Sequence, residues 1–181
     1  TFKDVASSLT GGQLKLTEGE SVDIVKNYRT QNKGIVKLWD ELEKIAKRSE
    51  GDRVIPLPSG RPLRFTVTKR DPLTVQYIKG EPEQRTWGSK LCENYIQAIA
   101  RDVLADTLVT LHSWDLKVIL HVHDSVVLEV AKDKAKDVIK VIEDVVTTSP
   151  SWLSNLPLQI DIRKDANVFE TKSQCIFKQI V

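Results

Sequence analysis

A histidine and an aspartate interrupt an apolar stretch of the sequence, VILHVHDSVVLEV at residues 118–130. The apolar runs on either side are typical of two buried strands joined as a hairpin, which places His123 and Asp124 at its tip. An aspartate held at such a corner can bind a hard cation such as Mg²⁺ through its oxygens. The simpler interpretation is an ordinary turn, because Asp and Ser suit turns, although the glycine that two-residue hairpins favour is missing.

The same stretch also admits a zinc hypothesis. His121 and His123 are two residues apart, and residues at that spacing share one face of a strand. A zinc site needs more ligands, however, and the remaining histidine, His112, falls on a predicted helix. A metal-dependent hydrolase that uses His121, His123 and Asp124 is therefore the weakest of the hypotheses that this stretch supports.

A polar stripe follows one face of the longest predicted helix, which runs from about Ser89 to His112. The spacing i, i+4, i+7, i+11 confines the stripe to an arc of about 60°. Its members are Lys90, Asn94, Gln97 and Arg101. The predicted buried side carries Leu91, Cys92, Tyr95, Ile96, Ile99, Val103 and Leu104. A solvated face explains the stripe simply, but mixed amides and cations also suit contact with a nucleic-acid backbone and minor groove.

The remaining elements predict an α+β fold with an antiparallel sheet. The capping box at Thr17-Glu18-Gly19-Glu20 predicts a helix through about Thr30, and an apolar stripe from Ile35 to Ala46 predicts a second. Residues 49–62 are rich in turn formers, and residues 64–78 offer two short β-like runs broken by Asp71-Pro72, which together indicate an irregular excursion. A helix over 131–146 and a last strand in LPLQIDI, near the hairpin, complete the prediction.

The turn LPSGRP at residues 57–62 combines Gly60 with Arg61, a pair that can cradle a phosphate. It lacks the spacing of a P-loop and is not followed by a capped helix. This favours a plain turn.

Composition excludes several classes of protein. The 181 residues are 40% hydrophobic and 29% charged, which is typical of a folded chain rather than a disordered one. A net charge of +2 means that any nucleic-acid binding depends on local patches. The two cysteines form no metal-type spacing and indicate a reducing compartment. No apolar run approaches the roughly 20 residues of a membrane span, and we expect a cytoplasmic protein.

Several segments together resemble one family. QAIARDVLADTL followed by VILHVHDSVVLEV is similar to the C-terminal part of family A DNA polymerases, the bacterial DNA polymerase I type, and especially to phage members. In that family a glutamine-bearing palm helix precedes the motif C hairpin. YRTQNKGIVKLWDELE and LPSGRPL resemble the fingers region, and SWLSNLPLQIDI also fits, in the same order. The resemblance implies a distal fingers-like region at residues 1–80 and a palm-like region at residues 81–181.

The resemblance also implies roles for individual residues. Asp124 corresponds to the motif C carboxylate that binds catalytic Mg²⁺, and His123 to the residue beside the primer terminus. Gln97 corresponds to the palm-helix glutamine that touches the DNA minor groove. The residues that share its face but match the family pattern less closely are Asn94, Lys90 and Arg101.

This sequence departs from the family in three ways. Ser125 stands where motif C has a glutamate, no Asp-Tyr-Ser-like motif supplies a second aspartate, and the nucleotide-binding fingers helix is missing. Two-metal nucleotidyl transfer needs carboxylates around both ions. We therefore expect the C-terminal subunit of a split DNA polymerase, which shares its Mg²⁺ site with an N-terminal chain and acts on primer–template DNA and deoxynucleoside triphosphates.

Other origins fit the same departures. The chain can instead be a piece of a cleaved or interrupted longer polymerase, or a degenerate relic. A hypothesis from a different class is a non-catalytic DNA-binding or assembly module that kept the fold and lost the chemistry, with Ser125 as its first sign. If the chain is phage-encoded, the expected compartment is the host cytoplasm.

Overall fold

The computed structural model of the protein describes residues 2–131, 133–163 and 174–180, with residues 163 and 174–180 described by their backbone alone. Helices and antiparallel strands both occur, as the α+β prediction requires. The helices are α1 Phe2–Leu9, α2 Glu18–Gln31, α3 Lys33–Lys47, α4 Gly88–Ser113 and α5 Ala135–Thr147, with a short 3₁₀ turn at Ser151–Leu153. The strands are β1 Gly51–Pro56, β2 Pro62–Arg70, β3 Leu73–Gln76, β4 Gln84–Arg85, β5 Lys117–Val122, β6 Ser125–Glu129, β7 Gln159–Arg163 and β8 Gln174–Ile180.

The chain divides into two compact units, each discontinuous in sequence. Unit 1 comprises the residues up to Arg53 together with Phe65–Glu93. Unit 2 comprises Val54–Arg64 and the residues from Asn94 onward. The assignment of residues 1–80 to fingers and 81–181 to palm stays a prediction.

Helix α2 in unit 1 begins where its capping residue predicts. The Oγ1 atom of Thr17 accepts the Glu20 N–H at 3.2 Å, and the Glu20 carboxylate accepts the Thr17 N–H at 2.8 Å. This reciprocal capping box satisfies two N–H groups that helix geometry leaves unpaired. The hydrogen bonds that the Glu20 carboxylate accepts from the N–H and the hydroxyl of Thr17 lower the pKa of Glu20. The second predicted helix is α3, with Leu42 and Ala46 buried. Helix α1 was not predicted, and none of its side chains is buried.

The region interpreted as an irregular excursion is a regular four-stranded sheet in the order β1-β2-β3-β4. Strands β2 and β3 pair antiparallel on either side of Asp71-Pro72. Their buried side chains are Phe65, Val67, Leu73 and Val75. Strand β1 escaped sequence analysis because turn-forming residues surround its short apolar stretch, Val54-Ile55.

The core of unit 2 lies among α4, α5 and the strand β6. Its buried side chains are Leu104, Leu111, Val126, Leu128, Val130, Ile142 and Val146. Each fully buried leucine, isoleucine or valine contributes roughly 1.5–3 kcal/mol to folding. Helix α4 therefore supplies part of the core on which the hairpin is built. Helix α5 begins at Ala135, four residues later than the predicted start.

The prediction that the whole hairpin is buried was wrong. Only the second strand, β6, is buried, at Val126, Val127 and Leu128. The first strand, β5, lies at the edge of a sheet whose order is β5-β6-β8-β7, so among the described strands it has a neighbour on one side alone. Ile119 and Val122 are 44% and 55% exposed. The apolar character of both runs predicted the strands, but burial depends on sheet order, which the runs do not encode.

The strand predicted in LPLQIDI is β7, and it neither ends the fold nor pairs directly with the hairpin. It pairs antiparallel with β8, and β8 pairs with β6. The strand β8 was missed, and it lies between β7 and the hairpin.

Candidate functional site

The hairpin between β5 and β6 closes through a two-residue turn. Val122 pairs with Ser125 across the two strands, so His123 and Asp124 alone form the loop. Two-residue loops require positive φ at their first central position, a place that glycine usually fills. Here His123 occupies it, with φ 54°. A non-glycine residue in this region costs energy, and such residues cluster at functional sites.

The strand β6 holds Asp124 in place. Asp124 and Ser125 are half-buried, and the three residues that follow are buried in the core. On its other side, β6 pairs with β8 from Ser125 onward, so the turn is attached to an interior strand. Asp124 therefore directly precedes a buried, paired strand at the end of the sheet, whereas the adjacent His123 is exposed.

The ligands required by the zinc hypothesis do not come together. His112, Asp115 and His121 line one cleft of about 670 Å³ in unit 2. Nevertheless, among residues 2–131, 133–163 and 174–180, no three His, Cys, Asp or Glu side chains are grouped so that they can hold a metal. A zinc centre built from the described histidines is thus not supported.

The polar stripe lies on a single continuous helix, as predicted. Gln97 and Arg101 are exposed and Asn94 is half-buried, all three in unit 2. Lys90 is half-buried in unit 1, with its Nζ 5.6 Å from the centroid of the Trp87 ring. The predicted buried side of the helix is only partly buried. Leu91, Cys92, Val103 and Leu104 are buried, but Ile96 is 51% exposed.

One cluster escaped sequence analysis, and it involves the turn at residues 57–62. The turn closes through hydrogen bonds from the N–H of Leu57 to the carbonyl of Arg61 and from the N–H of Gly60 to the carbonyl of Leu57, both 2.9 Å. Gly60 has φ 86°, a conformation suited to glycine. Arg61 then donates its Nε–H to the carboxylate of Asp102 on α4 at 2.5 Å.

Two further contacts complete this cluster. The Ser59 hydroxyl donates to the other Asp102 oxygen at 2.5 Å, and an Nη2–H of Arg61 donates to the Ala98 carbonyl at 3.0 Å. The guanidinium is thus engaged with the helix, and this favours the plain-turn interpretation over a phosphate cradle. Asp102 lies beside Val103, and both are buried. A charged residue among the side chains predicted to be buried was the signal in the sequence that could have indicated a buried carboxylate.

Comparison with known proteins shows a similarity to a phage protein. It is similar to a DNA polymerase of Bacillus phage SP02, with 34% identity over 180 aligned positions. This chain is related to a phage DNA polymerase. The alignment covers 82% of this chain but only 27% of the relative, so the chain spans about a quarter of that protein's length.

The other comparisons gave no match. No known family profile matches the chain, and no solved structure matches it. Within the described residues, no helix is both long and apolar enough to cross a membrane.

Proposed function

We propose that this chain forms part of a DNA-directed DNA polymerase of the family A type, to which it contributes the motif C carboxylate, Asp124. The relation to a phage DNA polymerase supports the reaction class. The observation that carries the assignment is the two-residue turn at His123 and Asp124, in which a strained histidine and a carboxylate end an interior strand. An ordinary turn has no need of a non-glycine residue at positive φ.

The chemistry of Asp124 fits a shared Mg²⁺ site. Mg²⁺ is commonly held by one or two carboxylates together with water and substrate phosphate oxygens, so a full protein cage is not required. Asp124 provides one such carboxylate from a fixed, half-buried position. When bound, Mg²⁺ would neutralise charge that develops on the transferred phosphoryl group. Within this chain, Asp124 would hold the ion.

The neighbouring residues would bind the DNA. In this proposal His123 lies beside the primer terminus, where its exposed ring can contact the terminal sugar-phosphate. Gln97 touches the minor groove through its amide, and Arg101, Asn94 and Lys90 contribute donors along the same helix. Amides suit the acceptors that every base pair presents in the minor groove, whereas cations suit the backbone.

The remaining catalytic groups would come from polypeptide outside these 181 residues. The second aspartate and the helix that binds the incoming deoxynucleoside triphosphate have no counterpart in this sequence. We propose that an N-terminal polymerase chain supplies them and that both chains share the Mg²⁺ site and the primer–template. The same groups supplied by a longer form of this polypeptide would leave the role of Asp124 unchanged.

The test is Asp124→Asn in the polymerase assembled from this chain and the polypeptide with the other motifs. Asparagine keeps the size and the turn-forming ability of aspartate but removes the charge that holds Mg²⁺. We expect primer extension to fall by roughly three orders of magnitude or more, because electrostatic stabilisation is the largest catalytic contribution. Circular dichroism and primer–template binding should stay close to those of the unmodified enzyme.

The matched control is Asp161→Asn on β7, a strand residue outside the turn. Its extension rate should stay within about threefold of the unmodified enzyme, as for most substitutions away from a site. Equal activity of Asp124→Asn and Asp161→Asn would reduce Asp124 to a turn residue. The chain would then be better described as a non-catalytic DNA-binding or assembly module. The observation that favours this second candidate is Ser125, which stands where motif C has a glutamate.

A further inference from the structure

The carboxylate of Asp102 on α4 is buried and anchored by two hydrogen bonds. Its side chain is 9% exposed, and its two oxygens accept hydrogen bonds from Arg61 and Ser59 at 2.5 Å each. A carboxylate so far removed from water is costly unless it is paired and hydrogen-bonded. The turn at residues 57–62 supplies both partners from more than forty positions earlier in the chain. We refer to Ser59, Arg61 and Asp102 as the α4 clamp.

The α4 clamp holds the helix at two points one turn apart. Arg61 binds the side chain of Asp102 and also the main-chain carbonyl of Ala98. Residues four apart lie one above the other on a helix, so the guanidinium spans a full turn. This double contact fixes the rotation of the helix about its axis as well as its position along that axis.

The two α4 residues that Arg61 contacts are each adjacent in sequence to an exposed residue of the polar stripe. Ala98 directly follows Gln97, and Asp102 directly follows Arg101, so each clamped residue is next in sequence to an exposed polar one. At about 100° per residue, a rotation of α4 would carry Gln97 and Arg101 sideways together with the clamped residues. Together with the buried side chains of α4, the α4 clamp therefore helps to set the direction in which these two side chains point.

We propose that Arg61 is a positioning residue for DNA binding, which sets the rotation of α4 so that Gln97 and Arg101 meet the primer–template. This inference rests on the proposed function, since it names what orients the DNA-binding face of the same site. Lysine cannot replace Arg61 in this role, because a single ammonium lacks the planar fork that bridges the Asp102 carboxylate and the Ala98 carbonyl. Ser59 supports Arg61 through the second oxygen of Asp102.

The experiment measures primer extension by the assembled polymerase as a function of primer–template concentration. Arg61→Lys should raise the KM for primer–template about tenfold and leave kcat within about twofold, because DNA contacts are misplaced but the Mg²⁺ site is intact. Ser59→Ala removes the hydrogen bond to Asp102 and the longer one that Ser59 accepts from the Arg61 N–H, but it keeps the ion pair, and it should raise that KM about threefold. The control Arg64→Lys, at an exposed position of β2, should change neither constant.

A double-mutant cycle separates positioning from simple support of the fold. If Arg61 acts in part through Gln97, then Arg61→Lys in a Gln97→Ala background should raise the KM by clearly less than tenfold, and the remaining increase is the share that Arg101 carries. If the increases in KM caused by Arg61→Lys and by Gln97→Ala multiply fully in the double variant, the positioning role is overturned. An unchanged KM for Arg61→Lys accompanied by a lower unfolding midpoint would overturn it as well. Ser59→Ala keeps the test valid if Arg61→Lys fails to fold.

Failure of this inference is distinguishable from failure of the proposed function. If Asp124→Asn abolishes extension while Arg61→Lys and Ser59→Ala leave the KM unchanged, only the positioning role is wrong. If Asp124→Asn is fully active, the proposed function is wrong and the positioning role falls with it.

Discussion

The Glu43 carboxylate accepts a hydrogen bond from the N–H of Gly88 at 2.7 Å, so a side chain of α3 satisfies the first residue of α4. The first N–H groups of a helix have no partner within the helix, and a carboxylate there also interacts favourably with the helix dipole. The contact is close because Gly88 has no side chain. A Cβ atom at this position would lie 2.4 Å from the Trp39 carbonyl oxygen. Within unit 1, the start of α4 is thus fixed against α3.

Gly88→Ala should therefore destabilise the protein. The added methyl group meets backbone atoms of α3, which cannot move aside as a flexible side chain can, and we expect a loss of about 2–4 kcal/mol in the free energy of unfolding. Urea unfolding followed by circular dichroism measures this loss. The control is Gly34→Ala in α3, where a Cβ would meet nothing within 4 Å. A helical site of that kind should gain up to about 1 kcal/mol. Equal stability of the two variants would contradict the close approach.

Glu43 should also give stability a dependence on acidic pH. The hydrogen bond from Lys47 is the largest cause that lowers the pKa of Glu43 below its usual value of 4.5, and the Gly88 N–H lowers it further, against the opposing effect of burial. A carboxylate with a folded-state pKa below its unfolded value stabilises the fold fully above that unfolded value. The contribution is lost as the pH falls from about 4.5 through the folded-state pKa.

The measurement is the unfolding midpoint of the unmodified chain and of Glu43→Gln between pH 6 and pH 3. The variant should be less stable at pH 6, and the difference should shrink toward pH 3, since protonated Glu43 and glutamine are similar. Lys47→Met removes the hydrogen bond that is the main cause of the lowered pKa of Glu43. In that background, Glu43→Gln should therefore lower the stability at pH 6 by less than it does in the unmodified chain. A difference that stays constant with pH would show that the Glu43 charge does not contribute.

Local signals were sufficient for the elements that depend on nearby residues. The capping box at Thr17 located the start of α2, and the apolar period located α4 to within one residue at each end. Features set by sheet order or by distant contacts were not accessible. The exposure of Val122 follows from the edge position of β5, and the pairing of Arg61 with Asp102 joins residues 41 positions apart. No periodicity in the sequence encodes either relationship.

The candidate site divides in the same way. Its position at the hairpin tip followed from the two apolar runs, and the turn does consist of His123 and Asp124. The positive φ of His123 is a consequence of closing that turn with two residues, so it appeared only in the structure. The roles of these residues come from the family resemblance and stay predictions, as do those of Gln97 and its neighbours.

Gln97→Ala should weaken the use of primer–template by the assembled polymerase. Loss of one hydrogen bond from the Gln97 amide to DNA costs roughly 1–2 kcal/mol, which corresponds to a KM about five- to thirtyfold higher. Steady-state extension at varied primer–template concentration measures it. Gln84→Ala, at an exposed position of β4, is the matched control and should behave as the unmodified enzyme. Unchanged extension with lowered stability would make the stripe a structural feature of the helix.

The purified 181-residue chain should not extend a primer by itself. Nucleotidyl transfer through two metal ions needs carboxylates that hold both ions about 4 Å apart. Among the described residues of the chain, no three His, Cys, Asp or Glu side chains are grouped so that they can hold a metal. In the proposed function, the helix that holds the incoming nucleotide also comes from the other polypeptide. The measurement is incorporation of a labelled deoxynucleotide on a primed template with Mg²⁺, with and without the polypeptide that carries the other motifs.

Incorporation should appear only when both polypeptides are present, and Asp124→Asn in this chain should remove it again. This last comparison excludes a contaminating host polymerase, because a contaminant would not respond to a substitution in this chain. Extension by the chain alone that is also lost in Asp124→Asn would locate a complete active site within these 181 residues. The division of catalytic groups between two polypeptides would then be wrong, while the role of Asp124 would stand.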